Sequence, residues 1–291
     1  MLNITAYHCP TTIGEAVALL AEEGRAVIAG GTDLLVNPRY MVGVREVMDI
    51  RKLGLDYIRH EGDWLCIGAG ATMRSVARHP DAQRLANGVL AQGAALCASP
   101  NIRNTATLVG NVASALPSAD TPPALLVLDA QVVLTGMQGE RIVPLEQFFI
   151  GPGKSVRERE LLREIRIPLV HTGAMGGGFY KIYRTAEDIS IVNAAASLII
   201  EHGAITQARL VLGAVAPVPL RARRAEGALL KQPPTEETLR RAAEIAREET
   251  RPISDQRASA DYRRRTSAVA ALRALRQAAG LAKMEEAWQH S

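Results

Sequence analysis

The sequence is poor in aromatic residues and cysteines. Aromatic residues make up only 4% of the 291-residue chain, so its core must be built from Ala, Val, Leu and Ile, which is typical of helices packed on sheets. The three cysteines, Cys9, Cys66 and Cys97, are far apart and form no CxxC pair, and no histidines have the spacing of a zinc motif. We therefore expect no zinc or iron–sulfur site within this chain.

Long hydrophobic runs are also absent. No window approaches eighteen uninterrupted apolar residues, and the first residues, MLNITAYHCPTT, lack a basic stretch followed by an apolar run. The sequence therefore predicts a cytoplasmic protein without a membrane span. The net charge is +4 with an excess of arginine late in the chain, but no aromatic residues alternate with those arginines to stack on bases. We therefore expect no nucleic-acid partner and interpret the basic stretches as solvated or subunit-facing helix surface.

Catalytic motifs are missing as well. The sequence has no GxSxG nucleophile elbow, no P-loop and no plausible Ser/His/Asp or Cys/His set, so we assign no catalytic residue. The segment IGAGATM has two glycines of a dinucleotide fingerprint, but Met73 takes the place of the third and no βαβ unit surrounds it. We therefore favour tight packing there over a Rossmann site.

Hydrophobic periodicity and turn signals predict an α+β fold of three units, residues 1–54, 55–170 and 171–291. In the first, Thr12 and Glu15 form a capping box for a helix, and AVIAG and REVMDI are expected to be parallel strands. In the second, a hairpin precedes a helix capped by Thr72, a helix covers LANGVLAQGAALCA, and ordered loops surround a short strand before further strands. In the third, GAMGGG (173–178) is expected to be a linker or turn before a three-stranded antiparallel meander covered by two helices.

The stretch AGGTDLL follows the first predicted strand directly. Gly30 and Gly31 free the backbone for positive φ and remove the Cβ atoms that would keep a ligand away, so successive N–H groups can converge on an anion. Thr32 and Asp33 are residues that cap a following turn. A phosphate site and a plain strand-to-helix turn both remain open for this stretch taken alone.

A second polar segment, NIRNTATLVGNVA, offers the Thr107 hydroxyl, an open backbone at Gly110 and the Asn111 amide. Two such segments on separate units suit an extended dinucleotide in a cleft. Asp120 precedes a Pro-started helix and either caps it, which is the default, or binds a polyol such as a ribityl chain. Lys181 lies on a predicted strand, where a salt bridge at the strand end is the plain alternative to a role at a ligand.

Four blocks in this order make a pattern that resembles a known family. They are AVIAGGTDLL, NIRNTATLVGNVASALPSADTPPALLVLDA, ELLREIRIP with FYKIYRTAEDISIVNAA, and DQRASADYRRRTSAVAALRAL. Together they are similar to the FAD-binding medium subunit of molybdenum hydroxylases, the family of xanthine dehydrogenase and carbon monoxide dehydrogenase, over essentially the whole chain. The resemblance implies a vanillyl-alcohol-oxidase-type (PCMH-like) FAD fold of two α+β subdomains, followed by a CO-dehydrogenase-flavoprotein-like C-terminal domain.

The resemblance also implies a set of residues for non-covalent FAD. The first glycine stretch would wrap the diphosphate, the second segment would approach the diphosphate and flavin, Cys97, Leu162 and Lys181 would lie near the isoalloxazine, and Asp120 would face the ribityl or adenosine side. The expected residues are Val27, Ile28, Ala29, Gly30, Gly31, Thr32, Asp33, Leu34, Cys97, Thr107, Leu108, Val109, Gly110, Asn111, Asp120, Leu162, Lys181 and Ile189.

Two positions depart from the family pattern. Ile189 stands where some relatives have an aromatic residue against the flavin, and Val109 replaces a glycine, so its backbone should avoid positive φ. Nothing between Asn111 and Asp120 could hold an extra 4Fe–4S cluster, which disfavours a 4-hydroxybenzoyl-CoA reductase.

The implied function is electron transfer from a small 2Fe–2S subunit through FAD to an external acceptor. The acceptor is NAD, quinone, dioxygen or a carrier protein. A large molybdopterin subunit would oxidise a small substrate such as a purine, N-heterocycle, aldehyde, aromatic CoA thioester or CO, in a dimer of heterotrimers. Two alternatives are a free-standing FAD-dependent oxidoreductase and a nucleotide-binding regulatory module.

Overall fold

The structure, a computed structural model, describes residues 4–169 and 175–280. The strands in these residues are β1 Ala6–His8, β2 Arg25–Ile28, β3 Glu46–Asp49, β4 Ile58–Glu61, β5 Trp64–Gly68, β6 Gln131–Gly136, β7 Gly139–Pro144, β8 Phe149–Gly151, β9 Lys154–Ser155, β10 Leu161–Pro168, β11 Met175–Ile182, β12 Val192–Glu201, β13 Ala204–Gly213 and β14 Leu220–Arg221. The α-helices are α1 Ile13–Leu20, α2 Met73–Arg78, α3 Pro80–Arg84, α4 Val89–Ala95, α5 Pro100–Arg103, α6 Leu108–Ala113, α7 Thr121–Val127, α8 Leu145–Phe148, α9 Arg223–Leu229, α10 Glu236–Glu249 and α11 Ala260–Ala278. Within these ranges no helix combines the length and apolarity needed to cross a lipid bilayer.

The first sheet is parallel, with the order β1-β3-β2. Helix α1 begins at the expected capping box, in which the Thr12 hydroxyl accepts from the Glu15 N–H and the Glu15 carboxylate accepts from the N–H of Thr12. Its buried stripe, Ala16, Val17 and Leu20, follows the helical period and faces the core. The parallel pairing of β2 with β3 confirms the prediction for AVIAG and REVMDI, and β1 adds a strand that the sequence analysis missed.

The second sheet is antiparallel, with the order β4-β5-β10-β6-β7, and β4 and β5 form the hairpin expected before Thr72. The segment between α4 and β6 differs from the prediction of loops around a short strand. It contains three short helices, α5, α6 and α7, because Ser99 and Thr107 cap two of them and prolines occupy the first turns of α5 and α7. The helix predicted for LANGVLAQGAALCA begins only at Val89, because Ala86 and Asn87 adopt left-handed φ angles of 46° and 51°.

The third sheet is antiparallel, with the order β11-β12-β13-β14. The three long strands confirm the meander, and the two-residue β14 makes the sheet four-stranded rather than three-stranded. Residues Val192 to Ile199 of β12 are all buried, since the strand packs on α11 of the third unit and on α7 of the second. The third sheet is therefore fastened to the rest of the molecule by a hydrophobic interface.

The GAMGGG prediction is wrong for the part that the structure describes. Residues 173 and 174 lie outside the described residues, but Gly176, Gly177 and Gly178 belong to strand β11. A Cβ on Gly176 would overlap the carbonyl oxygen of Ala278, and one on Gly178 would overlap that of Ala274, both in α11. These glycines therefore let a helix backbone approach the strand closely instead of forming a turn.

Candidate cofactor-binding site

A cavity of about 440 Å³ lies between the first sheet, the start of β10, the short helices and the segment before β12. Cavities of this size at the junction of structural units are typical of cofactor sites. Its wall contains fifteen of the eighteen expected residues: Val27, Ile28, Ala29, Gly31, Thr32, Asp33, Leu34, Cys97, Thr107, Val109, Gly110, Asn111, Asp120, Leu162 and Ile189. The fold thus brings together segments that lie far apart in the sequence, between residues 27 and 189.

Three expected residues, Gly30, Leu108 and Lys181, do not line the cavity. A Cβ on Gly30 would overlap the carbonyl oxygen of Thr105, so Gly30 lets the glycine turn pack against the segment before α6. Leu108 is fully buried in the core. Lys181 is 4% exposed and lies behind the wall.

The glycine turn follows β2, where the chain leaves the sheet. Gly31 has φ of +69°, a conformation that favours glycine, and its peptide borders the cavity. The turn continues with backbone bonds from the Leu35 N–H to the Gly31 carbonyl at 3.1 Å and from the Asn37 N–H to the Asp33 carbonyl at 2.9 Å. Burial raises the pKa of the Asp33 carboxyl in this wall.

The second polar segment is the start of a helix rather than a loop. The Thr107 hydroxyl accepts from the Gly110 N–H at 3.0 Å and caps α6. Val109 lies inside this helix and is absent from the positive-φ residues, as expected. The Asn111 side-chain oxygen accepts from the Thr121 hydroxyl at 2.6 Å and so holds the start of α7 against α6.

Asp120 lies at the centre of a buried hydrogen-bonded network. It makes no side-chain cap bond to α7, so the default capping interpretation is wrong. Its carboxylate instead accepts from Lys181 Nζ at 2.9 Å and from the Ser190 hydroxyl at 2.5 Å, and Asn193 Nδ2 lies 3.3 Å away. Burial raises the pKa of Asp120, and the adjacent Lys181 ammonium opposes that rise. The network joins the cavity wall to the third sheet.

Cys97 contributes a thiol to the wall just after α4. Burial raises its pKa to about 12, so the thiol stays protonated near neutral pH and is a poor nucleophile. The adjacent Leu96 carbonyl accepts from Lys181 Nζ at 2.9 Å. Cys97 therefore provides an apolar surface whose backbone is fixed by the Asp120 network.

The sequence analysis missed several wall residues, of which Tyr40 and Arg157 are the most informative. The Tyr40 hydroxyl donates to the Ser114 carbonyl at 3.0 Å and links the segment after the glycine turn to the end of α6. Arg157 follows β9, and its Nε is buried without a hydrogen-bond partner in the described chain. In KSVRERE, Arg157 precedes an alternation of glutamate and arginine, and this charged stretch gives no signal that separates Arg157 from solvated surface.

These features fit an extended flavin dinucleotide. The glycine turn allows close backbone approach, the apolar wall suits a ring system, and the unpartnered Arg157 Nε offers a donor to an anion. The fold and the cavity together define the class, an FAD-binding oxidoreductase component.

Comparison with known proteins identifies the family. Residues 2–170 match the family described as "FAD binding domain in molybdopterin dehydrogenase", and residues 178–278 match "CO dehydrogenase flavoprotein C-terminal domain". The chain belongs to this family of flavoproteins.

Relatives match over nearly the whole length of the chain. A xanthine dehydrogenase FAD-binding subunit of Escherichia coli O157:H7 is 32% identical over 90% of this chain and 92% of its own. The carbon monoxide dehydrogenase medium chain of Hydrogenophaga pseudoflava is 32% identical over 88% of this chain and 91% of its own. A solved structure of carbon monoxide dehydrogenase from that organism superimposes with a TM-score of 0.90, at 32% identity, covering 97% of this chain and 99% of that chain.

Proposed function

We propose that this chain is the flavoprotein subunit of a molybdenum hydroxylase complex and passes electrons through FAD to an external acceptor. The observation that carries the proposal is the cavity, which gathers fifteen of the expected FAD residues in a chain that matches such a subunit over 88% of its length. When bound, FAD supplies the redox chemistry, and the protein binds and orients it.

Each part of the cavity has a proposed role toward FAD. The Val27–Leu34 turn and the Thr107–Asn111 segment hold the diphosphate, Asp120 faces the ribityl chain, and the isoalloxazine lies by Cys97, Leu162 and Ile189. The position of Lys181, paired to Asp120, supports an indirect role for its ammonium group. Because Ile189 is 47% exposed, we place the face at which an acceptor approaches beside it.

The partners are proposed from the relatives. The matched subunits of Hydrogenophaga pseudoflava and Afipia carboxidovorans are named medium chains, which supports small and large partner subunits for this chain too. We assign 2Fe–2S clusters to the small subunit and the molybdopterin cofactor to the large one, in a dimer of heterotrimers in the cytoplasm. We also predict that the three units of the chain end at residues 54, 170 and 291, and that FAD is bound non-covalently.

Gly31→Asp tests the diphosphate assignment. The new carboxylate would repel the diphosphate at the cavity wall, so we expect the purified full-length chain to retain less than about a tenth of the FAD of the unaltered chain. FAD per chain is measured by flavin absorbance after gel filtration.

Gly54→Asp is the matched control. Gly54 has a similar φ of +66°, is exposed and lies outside the wall, and a Cβ there meets open space. Full FAD retention by Gly31→Asp would contradict the assignment. Binding of ADP by a chain that retains no flavin would favour a regulatory module, and substrate oxidation by the chain alone would favour a free-standing oxidoreductase.

A further inference from the structure

Arg157 is a half-buried arginine with no partner of opposite charge. Its Nε is buried without a hydrogen-bond partner, and no ion pair or hydrogen bond involves its guanidinium within residues 4–169 and 175–280. Arg163, Arg209 and Arg263 also have a buried, unbonded Nε, but each of those guanidinium groups forms an ion pair. Arginine stays protonated in proteins, and the Glu160 carboxylate acts on Arg157 only from beyond ion-pair distance. Arg157 is therefore a cation without a direct partner.

Four carboxylates line a cavity together with Arg157. Three of them, Glu22, Glu23 and Glu160, are already paired with other arginines, and the fourth, Glu158, is exposed and forms no ion pair in the described chain. Glu160 accepts two bonds of 2.7 Å from Arg141. Glu22 pairs with Arg25 at 2.9 Å, and Glu23 pairs with Arg159. Because a charge removed from water without a partner costs free energy, a cation left over among these pairs indicates an anion from outside the chain.

The charge of the cavity wall points to the same conclusion. The wall includes four carboxylates, from Asp33, Asp120, Glu187 and Asp188, and Arg157 is its one Lys or Arg among the described residues. Asp120 is paired with Lys181 and Asp188 with Arg184, whereas Asp33 and Glu187 have no ion pair in the described chain. A diphosphate entering this wall meets negative charge, and Arg157 alone in the wall offers a full positive charge to offset it.

Arg157 also marks one end of the cavity. A second cavity of about 510 Å³ shares four wall residues with the first: Val27, Leu34, Tyr40 and Arg157. Cys97, Asp120 and Ile189, which we assign to the flavin half of FAD, line only the first cavity. Arg157 therefore lies on the side of the glycine turn that faces away from the proposed flavin position.

We propose that the Arg157 guanidinium binds the diphosphate of FAD from the adenylate side, and that the second cavity receives the adenosine. The proposal rests on the placement of FAD under the proposed function. A guanidinium matches two phosphate oxygens in a bidentate geometry, which a backbone N–H of the glycine turn cannot do alone. Arg157 thereby makes the site select ligands that carry the diphosphate over riboflavin, which lacks it.

The test uses the full-length apoprotein and compares Arg157→Met with Arg224→Met. Both variants lose one positive charge, but Arg224 is 63% exposed, pairs with Glu248 at the surface and lines neither cavity. We expect Arg157→Met to weaken binding of FAD and of ADP by about 10- to 100-fold and to leave riboflavin binding unchanged. Arg224→Met should leave all three within about twofold. Dissociation constants are measured by flavin fluorescence and, for ADP, by calorimetry.

Thermal unfolding without ligand separates ligand binding from a structural role. If Arg157 serves to bind an anion, the melting temperature of Arg157→Met apoprotein should equal or exceed that of the unaltered apoprotein, because a cation without an ion pair has been removed. Arg157→Lys should recover part of the FAD and ADP affinity.

Three outcomes would overturn the proposal. They are unchanged FAD affinity in Arg157→Met, an equal loss for FAD and riboflavin in that variant, and, where Arg157→Met does not fold, an equal loss for FAD and riboflavin in Arg157→Lys. Failure of the unaltered full-length chain to bind any flavin or ADP would overturn the proposed function together with this inference.

Discussion

Asp33 is a carboxylate of the cavity wall whose charged form is disfavoured in the folded chain. Asp33 is exposed to solvent in the cavity wall, and its carboxylate has no hydrogen-bond partner among the described residues. Desolvation by the surrounding protein raises its pKa. A carboxyl whose pKa is higher in the folded than in the unfolded state binds its proton more tightly when folded. Asp33 therefore lowers the free energy of unfolding of the apoprotein at neutral pH.

Asp33→Asn should raise the free energy of unfolding of the apoprotein at pH 7. In the unaltered chain, the contribution of Asp33 to stability falls as the pH rises from about 4, the unfolded-state pKa, through the higher folded-state pKa, and the penalty is complete above it. The difference between variant and unaltered protein should thus shrink on acidification. Urea unfolding at several pH values measures it.

Asp261→Asn controls for the loss of one negative charge, because that carboxylate is 71% exposed on α11. A stability difference for Asp33→Asn that is constant from pH 4 to pH 7 would contradict the assignment, with pH 4 taken as roughly the unfolded-state pKa.

Single residues were predicted from the sequence with uneven success. Gly30 and Gly31 were expected to do the same work, yet only Gly31 lines the cavity, while Gly30 accommodates the Thr105 carbonyl. Local sequence does not show that approach, because the two segments meet only in the folded chain. Arg157 was missed because its charged neighbours in the sequence are typical of a solvated surface.

Among the elements, β11 shows how tertiary packing overrides local propensity. Three consecutive glycines predict a turn from the sequence alone, but α11 lies so close to the strand that side chains there would meet its carbonyl oxygens. The α5–α7 segment could have been predicted better. Ser99 and Thr107 before helical turns, and prolines at the first turns of α5 and α7, are helix-start signals that the sequence displays.

Gly178→Ala should destabilise the protein by roughly 1–3 kcal/mol or more, because its Cβ would overlap the Ala274 carbonyl and the Gln277 side chain. Gly227→Ala is the control. Gly227 is exposed inside α9 with no atom near its would-be Cβ, so that change should stabilise by about 0.5–1 kcal/mol. Denaturant unfolding measures the free energy of unfolding of both variants. Equal changes in the two variants would contradict the close packing of α11 on β11 at Gly178.

In the molecule as a whole, the Asp120 network connects two hydrophobic cores. One core lies around the first two sheets, and the other lies between the third sheet and its helices. Asp120 comes from the start of α7, whereas Lys181, Ser190 and Asn193 come from the third sheet or its border. Both members of the ion pair are almost fully buried. A buried pair of this kind is costly to break, because removal of one partner leaves the other charge unpaired.

Lys181→Met should lower the free energy of unfolding by about 3–5 kcal/mol, because the Asp120 carboxylate loses its cation. Adding Asp120→Asn to Lys181→Met should restore part of that loss. Arg184→Met, which removes a cation that is 61% exposed and pairs with Asp188, should cost about 0–1 kcal/mol. Denaturant unfolding of the three variants and the unaltered chain measures these free energies. If Lys181→Met lowers the free energy of unfolding no more than Arg184→Met does, the stabilising role of the Asp120–Lys181 pair is contradicted.

The cavity wall extends in sequence from Val27 to Ile189, more than half of the chain. On a ribosome that adds about 5–20 residues per second, the glycine turn is made on the order of ten seconds or more before Ile189. A nascent chain lacks a complete site during that interval, so FAD can fill the site only after the chain has been made as far as Ile189. Riboflavin starvation of a cell should therefore leave full-length, colourless subunit rather than reduced synthesis.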